Sequence, residues 1–375
     1  MKKILFATTA LVATASVAAA DVSFSGYGRF GAISQETTTD AILATGTPAA
    51  IAAATAVATA SAAAAAAAAA AYNAAVATGT ATAAQALAVA NTAGLAASDA
   101  AALDAIDGTA ATSNTVEGIY TRLRLQVDMT TEADNGLTFG ARVRHQVTTV
   151  DAAPAGNQGF NGARFYATAG GLTVAAGNII GSIEGMSNLY MSNNAAGIGL
   201  SGLGFHNLVT NTVAKGYWGW DAYSSGGGGA NGIEVMYSAG DFSGAISYSN
   251  NGGVENTALN MAYTFNDWTV ALGYQDSTIN TNDKIVLTVG GNIGPAKVVL
   301  GAADNDGETK IALSGIIEVG AATKLEAFVS TEDTAGEAFG IGVQHDLGGG
   351  AALRGGIVSN QRDDIGADLG IVFNF

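Results

Sequence analysis

From Val116 to Phe375 the chain runs as segments of about ten residues in which apolar and polar side chains alternate, separated by clusters of Gly, Asp, Asn and Thr. A period of two is the period of a β-strand, so one face of each segment differs from the other. The pattern is clearest between Ile119 and Met129. Ile119, Thr121, Leu123, Leu125, Val127 and Met129 share one face; Tyr120, Arg122, Arg124, Gln126 and Asp128 share the other. A soluble sandwich alternates in the same way, and only strand number and connection lengths separate it from a membrane barrel.

Sixteen such segments are predicted. Residues 22–34, 117–130, 137–149, 161–169 and 171–179 come first, and eleven more run from 231–239 to 365–375. An even number suits a closed antiparallel barrel with both termini on the periplasmic side, and its connections should alternate between short and long. Short ones are read at Gly170, Gly240, Asn266–Asp267 and Gly348–Gly349, and the long ones, 40–115 and 180–230, both fall on the opposite side. Phe24, Phe139, Tyr237, Phe242, Phe265, Trp268, Phe373 and Phe375 have lipid-facing parity beside the short turns or termini, where an interfacial girdle belongs.

The first twenty residues have the layout of a cleaved export signal: Met1-Lys2-Lys3, an apolar stretch from Ile4 to Val17, then Ala18-Ala19-Ala20. Cleavage would leave a chain of 21–375 with 13 basic and 31 acidic residues, a net charge of −18. That balance argues against nucleic acid as a partner, since phosphate contacts need basic patches. With no cysteine, an exported chain is not a disulfide scaffold. Outside residues 40–115 no apolar run reaches the roughly 18 residues of a spanning helix, so a membrane would have to be crossed by strands.

Three stretches resemble the general diffusion porins of alphaproteobacteria, the Rhodobacter-type members of the Gram-negative porin family. They are the run from Asp21 to Gly31, the strand–turn–strand step from Tyr237 to Gly244, and the end from Leu369 to Phe375. The resemblance implies an all-β fold, a 16-stranded antiparallel transmembrane β-barrel in the outer membrane, assembled as a homotrimer and passing ions and small hydrophilic solutes by passive diffusion. It also implies that the third loop, here 180–230, folds inward as a constriction loop. Phe373 and Phe375, with apolar residues at alternate positions before them, resemble the signal read by barrel-assembly machinery.

Six arginines have inward parity: Arg29, Arg122, Arg124, Arg142, Arg144 and Arg164. Those on the second and third segments are expected to stack into one basic wall, tolerated only where water, carboxylates or transport offsets the repulsion. In the resembled family such a wall faces carboxylates on the inward loop. Here residues 180–230 offer only Glu184 and Asp221, with Lys215 opposing them, which puts cation selectivity in doubt. Asp276, Asp283, Asp304, Asp306, Glu308, Glu332, Asp333, Glu337, Asp363 and Asp364 are expected to be loop acids that make the outer mouth negative, an influence screened beyond about 8 Å.

Apparent chemical motifs fail on context. Gly26, Gly28 and Gly31 have dinucleotide-fingerprint spacing but lie in a strand with no helix after it. Asp304-Asn305-Asp306-Gly307 begins like a calcium loop without its closing Glu, and reads better as a hairpin turn. His145, His206 and His345 share no metal spacing, and no catalytic set can be assembled, so neither an enzyme nor a cofactor or metal is expected.

Residues 40–99 are dominated by alanine, the best intrinsic helix former. Thr47 before Pro48 offers an N-cap, and Gly79 and Gly108 offer stops, predicting a helical hairpin near 48–78 and 81–106. A disordered loop and a spanning helix are the competing readings, and display of this hairpin to a surface partner is the alternative function. Excising residues 41–111 and bridging the ends with a short flexible linker should leave a folded, conducting barrel in outer-membrane extracts. Loss of every channel would instead make the insert part of the barrel's architecture.

Overall fold

The computed structural model describes residues 21–39, 47–107, 112–150, 153–155, 159–191, 197–203, 208–211, 219–279 and 282–375. The expected export signal lies outside these residues, as do Lys215, His206 and Phe205. The chain divides near Glu36 and again near Val116 into two compact units.

The first unit is the barrel. Its strands are β1 (Asp21–Thr39), β2 (Thr112–Glu132), β3 (Thr138–Val150), β4 (Ala153–Ala155), β5 (Arg164–Ala169), β6 (Leu172–Asn178), β7 (Asn231–Ala239), β8 (Phe242–Asn251) and β9 (Val254–Phe265). They continue as β10 (Trp268–Ser277), β11 (Lys284–Ile293), β12 (Ala296–Asn305), β13 (Glu308–Glu318), β14 (Thr323–Glu332), β15 (Gly336–Gly348), β16 (Ala351–Ser359) and β17 (Ile365–Asn374). Apart from β4, consecutive strands pair antiparallel, and β1 pairs with both β2 and β17, so the ring closes. The three-residue β4 pairs only with the end of β3, while β3 goes on to pair with β5; sixteen strands therefore form the closed barrel. The sequence pattern gave no sign of β4, because Ala-Pro-Ala has neither alternation nor β-branched residues.

Large apolar side chains cover the outer face in every second position. Ile119, Phe165, Leu300, Ile341 and Leu369 are each more than half exposed. A water-soluble protein does not expose such a continuous apolar band, whereas a bilayer solvates it. Of the expected girdle aromatics, Trp268 is half-buried and the other seven are exposed.

The expected alternation of long and short connections holds in part. The connections at 40–111 and 179–230 are long, but the same end of the barrel also turns on Gly252-Gly253 and on Asp306-Gly307. The latter is the predicted hairpin: Asp306 has φ 54° and Asp304 accepts from the Gly307 amide at 2.7 Å. Three of the supposed loop acids are buried. Glu332 pairs with Lys310 at 2.7 Å, Glu308 accepts from the Thr334 amide and hydroxyl, and Asp364 accepts from Asn360. Their strand-end positions read as loop from sequence, but each serves as an acceptor for a neighbour.

The second unit is the insert, with α1 (Pro48–Ala77) and α2 (Ala83–Asp107). Thr47 caps α1, its hydroxyl accepting from the Ala50 amide at 3.3 Å, and Pro48 occupies the first turn where no amide donor is needed. Ser61 of α1 donates to Asp99 of α2, tying the two helices together. No residue of α1 is buried, as its alanines have little apolar area to bury.

At the closing seam Gly28 of β1 faces Phe373 of β17, and a Cβ on Gly28 would lie 2.3 Å from the ring, so the aromatic fills the space that only glycine leaves. Phe375 completes the seam through two backbone bonds with Gly26, of 2.9 and 3.1 Å. Deleting Phe375 removes both bonds and the terminal aromatic. The folded, heat-modifiable fraction in outer membranes should fall, and unchanged yield and folding kinetics would refute a role for this residue in closure or assembly.

Candidate functional site

The barrel's interior is organised by the segment between β6 and β7. Its apolar residues are its anchor. Ile183, Met186, Leu189, Met191, Leu208, Val209 and Trp220 pack on the inward side chains of β9–β13, among them Ala258, Ala262, Ala271 and Ala303. Ile198, Leu200 and Leu203 pack on Ile33, Tyr120, Phe328, Val358 and Val372 on the other side of the lumen. Each fully buried Leu, Ile or Met contributes about 1.5–3 kcal/mol. The small alanines on the wall leave the room these side chains fill.

Polar groups of the wall fix the path of this segment. Glu234 on β7 accepts from the Gly181 amide at 2.8 Å, and Glu326 on β14 accepts from the Gly199 amide at 3.3 Å. Asp368 on β17 accepts from the amides of Leu200 and Ser201 at 2.9 and 2.7 Å and from the Ser201 hydroxyl at 2.6 Å. Gly199 has φ 77°, and a Cβ there would lie 2.1 Å from an Asp368 carboxylate oxygen, so glycine is required. Wall donors complete the set: Thr288 reaches the Ser187 carbonyl, Asn305 the Leu208 carbonyl and Lys310 the Thr210 carbonyl.

Between this segment and the inner face of β1–β3 lies a cavity of about 590 Å³, lined by Tyr27, Arg29, Arg122, Arg124 and Arg144 from the wall and by Glu184, Tyr190 and the stretch 222–225 from the segment. The arginines are staggered rather than stacked directly. Across the β2–β3 ladder Arg122 faces Thr148, Arg124 faces Gln146, Arg144 faces Gln126 and Arg142 faces Asp128. Each of these pairs is hydrogen-bonded, at 3.1, 2.7, 2.9 and 2.6 Å in turn. Alternation with neutral or acidic partners removes the like-charge opposition that four adjacent guanidinium groups would otherwise create.

The eight sequence-predicted residues divide. Arg29, Arg122, Arg124, Arg144 and Glu184 come together at the cavity. Arg29, almost fully buried, donates to the Leu200 carbonyl at 3.1 Å. Arg142 is outside the lining and forms an ion pair with Asp128. Arg164, directly opposite Arg142 in the β3–β5 ladder, is buried in an ion pair of 2.6 Å with Glu234. Asp221 faces the wall, accepting from Ser249 at 2.9 Å and Asn256 at 3.3 Å, and burial pushes its carboxyl up from the usual range. Arg164 and Asp221 thus do not line this cavity.

Glu184 accepts from the Tyr190 hydroxyl at 2.5 Å and the Trp220 indole at 3.0 Å. Burial raises its pKa more than these bonds and Arg144 lower it. Its negative charge is therefore lost at a higher pH than that of an ordinary carboxylate. The carboxylates that sequence reasoning missed are Glu234, Glu326 and Asp368. Their signal was available: each is an acid at inward parity in its strand, alone there in β7 and β17 and joined by Glu332 in β14.

Charge-assisted bonds of the kind Asp368 accepts are each worth about 1.5–3 kcal/mol. Asp368→Ala should therefore release the 197–203 stretch, seen as a larger and noisier single-channel conductance. A conductance indistinguishable from the parent's would show that these bonds do not hold the segment in place.

No family model matches the chain. It is 28% identical over 279 residues to the porin of Fuscovulum blasticum, covering 68% of this chain and 91% of that protein. It is 30% identical over 180 residues to the porin of Rhodobacter capsulatus, covering 37% of this chain and 60% of the other. Among solved structures, a mutant of the Rh. blastica porin superposes with a TM-score of 0.62 at 22% identity, covering 95% of this chain and 100% of that one. The sixteen-stranded closed barrel is the shared fold. Sequence and fold agree: the chain is similar to Rhodobacter-type porins and shares their closed sixteen-stranded barrel, the fold of an outer-membrane porin channel.

Proposed function

We propose that ions and small hydrophilic solutes diffuse through the arginine-lined cavity, that the segment between β6 and β7 is the constriction loop, and that the passage prefers anions. One observation carries this reading. Among the described residues, Arg29, Arg122, Arg124 and Arg144 have no carboxylate within ion-pair distance, while Glu184 is the single acid in the cavity wall. In a narrow aqueous passage bounded by low-dielectric walls, fixed charges act strongly on passing ions.

Of the other inward cations, Arg142, Arg164 and Lys310 are neutralised by Asp128, Glu234 and Glu332, while Lys284 and Arg354 make no ion pair among the described residues and lie outside the cavity lining. The sign of the charge at the cavity is set by the four arginines that line it. Similarity to Rhodobacter-type porins supports a homotrimer as the assembled form. The terminal Phe373 and Phe375, with tilted rings 6.4 Å apart between centroids, support recognition by barrel-assembly machinery, and the Lys-Lys-led N-terminal stretch supports export through the periplasm by a cleaved signal.

Replacing Arg122 and Arg124 with Gln keeps hydrogen-bonding capacity and removes two charges from the cavity wall. The reversal potential in a salt gradient should shift toward cations, and the shift should shrink as salt rises because screening shortens the reach of the wall. A double variant with the parent's reversal potential at low salt would show that this wall does not line the conducting path.

A further inference from the structure

We propose that the arginine-lined cavity is a saturable binding site for doubly charged oxyanions such as phosphate or sulfate, and not merely a charged stretch of passage. This rests on the reading of the cavity as the conducting path.

The first ground is how the four guanidinium groups spend their donors. Arg29 bonds to the Leu200 carbonyl, Arg122 to Thr148, Arg124 to Gln146, and Arg144 to Gln126 and Ser225. All of these acceptors are neutral. Charge is left uncancelled and, since each guanidinium has five N–H groups, most donors are left unspent. The Nε groups of Arg29 and Arg144 are also buried with no partner in the protein. Buried donors of this kind call for an acceptor, and an oxyanion supplies several at once.

The second ground is how the forks are held. Arg29 and Arg124 lie over the Tyr27 ring at 4.5 and 5.1 Å, and Arg144 lies over the Tyr223 ring at 4.6 Å. A guanidinium stacked on a ring is oriented without using its N–H groups, which remain at its edge for a planar or tetrahedral oxyanion. The opposing Glu184 is engaged by Tyr190 and Trp220 and makes no ion pair with the cluster. A cavity of about 590 Å³ has room for such an anion with part of its hydration. Chloride carries half the charge and has no array of oxygens to match the forks, so it passes where a dianion lingers.

The test is single-channel recording of the full-length protein in planar bilayers bathed in potassium chloride at pH 8, where phosphate is mostly dianionic. Adding potassium phosphate or sulfate should lower the chloride current along a saturating curve, whereas nitrate at matched ionic strength should not. Arg124→Lys combined with Arg144→Lys keeps both charges but loses the forks. The half-blocking phosphate concentration of that variant should rise by about tenfold or more. If the pair yields no channels, Arg124→Lys alone is read the same way. A block that does not saturate, or is equal in parent and Lys variant, overturns the binding site but leaves the anion-preferring pore standing. Absence of channels in the parent, or a parent reversal potential on the cation side, strikes the pore reading instead.

Discussion

Buried carboxylates on the barrel's inner wall that accept backbone amides from one long segment are the interaction on which the interior depends. Carboxylates shielded from water are costly unless hydrogen-bonded, and so are the amides of an irregular segment packed against a wall. Glu234, Glu326 and Asp368 meet the amides of Gly181, Gly199, Leu200 and Ser201, so each set of groups satisfies the other. Apolar contacts of Ile183, Leu189, Leu200 and Leu203 supply the adhesion, and the carboxylates supply the register. The strand ladders would close the ring without this segment, but they would not shape its lumen.

The same arrangement decides the electrostatics. Wall acids that serve the segment cannot pair with the arginines of β1–β3, and the acids of the segment are themselves engaged, Glu184 by Tyr190 and Trp220, Asp221 by Ser249 and Asn256. Positive charge is therefore concentrated on the β1–β3 side of the cavity. The ladder partners Thr148, Gln146 and Gln126 make that concentration tolerable by separating the guanidinium groups without neutralising them.

Most of the architecture was legible in the sequence, because period-two alternation and Gly/Asn/Asp turns are local properties. The bounds of β7 and β10 coincide with the alternating segments, and Thr47-Pro48 marks the start of α1 to the residue. Inward parity was legible too, but depth and pairing were not. Arg142 and Arg164 have the same parity and face each other across a ladder, yet both are neutralised, Arg142 by Asp128 opposite it in the β2–β3 hairpin and Arg164 by Glu234 two strands away on β7. Asp221 counts as an acid of the inward segment in sequence, and its orientation toward β8 and β9 follows from how Trp220 packs beside it. The inward parity of the carboxylate tethers was legible, but not their role, since an inward acid has a meaning only once its partner amides, some 53 to 168 residues away, are in place.

The reversal potential of the unmodified protein in a potassium chloride gradient at low salt tests the central claim most directly, since it reads the net sign of charge at the narrowest part of the path. Four unpaired guanidinium groups facing one engaged carboxylate predict a potential displaced toward the chloride equilibrium value. A potential displaced toward the potassium value would contradict the account, because the arginines of β1–β3 would then not be the charges that passing ions meet.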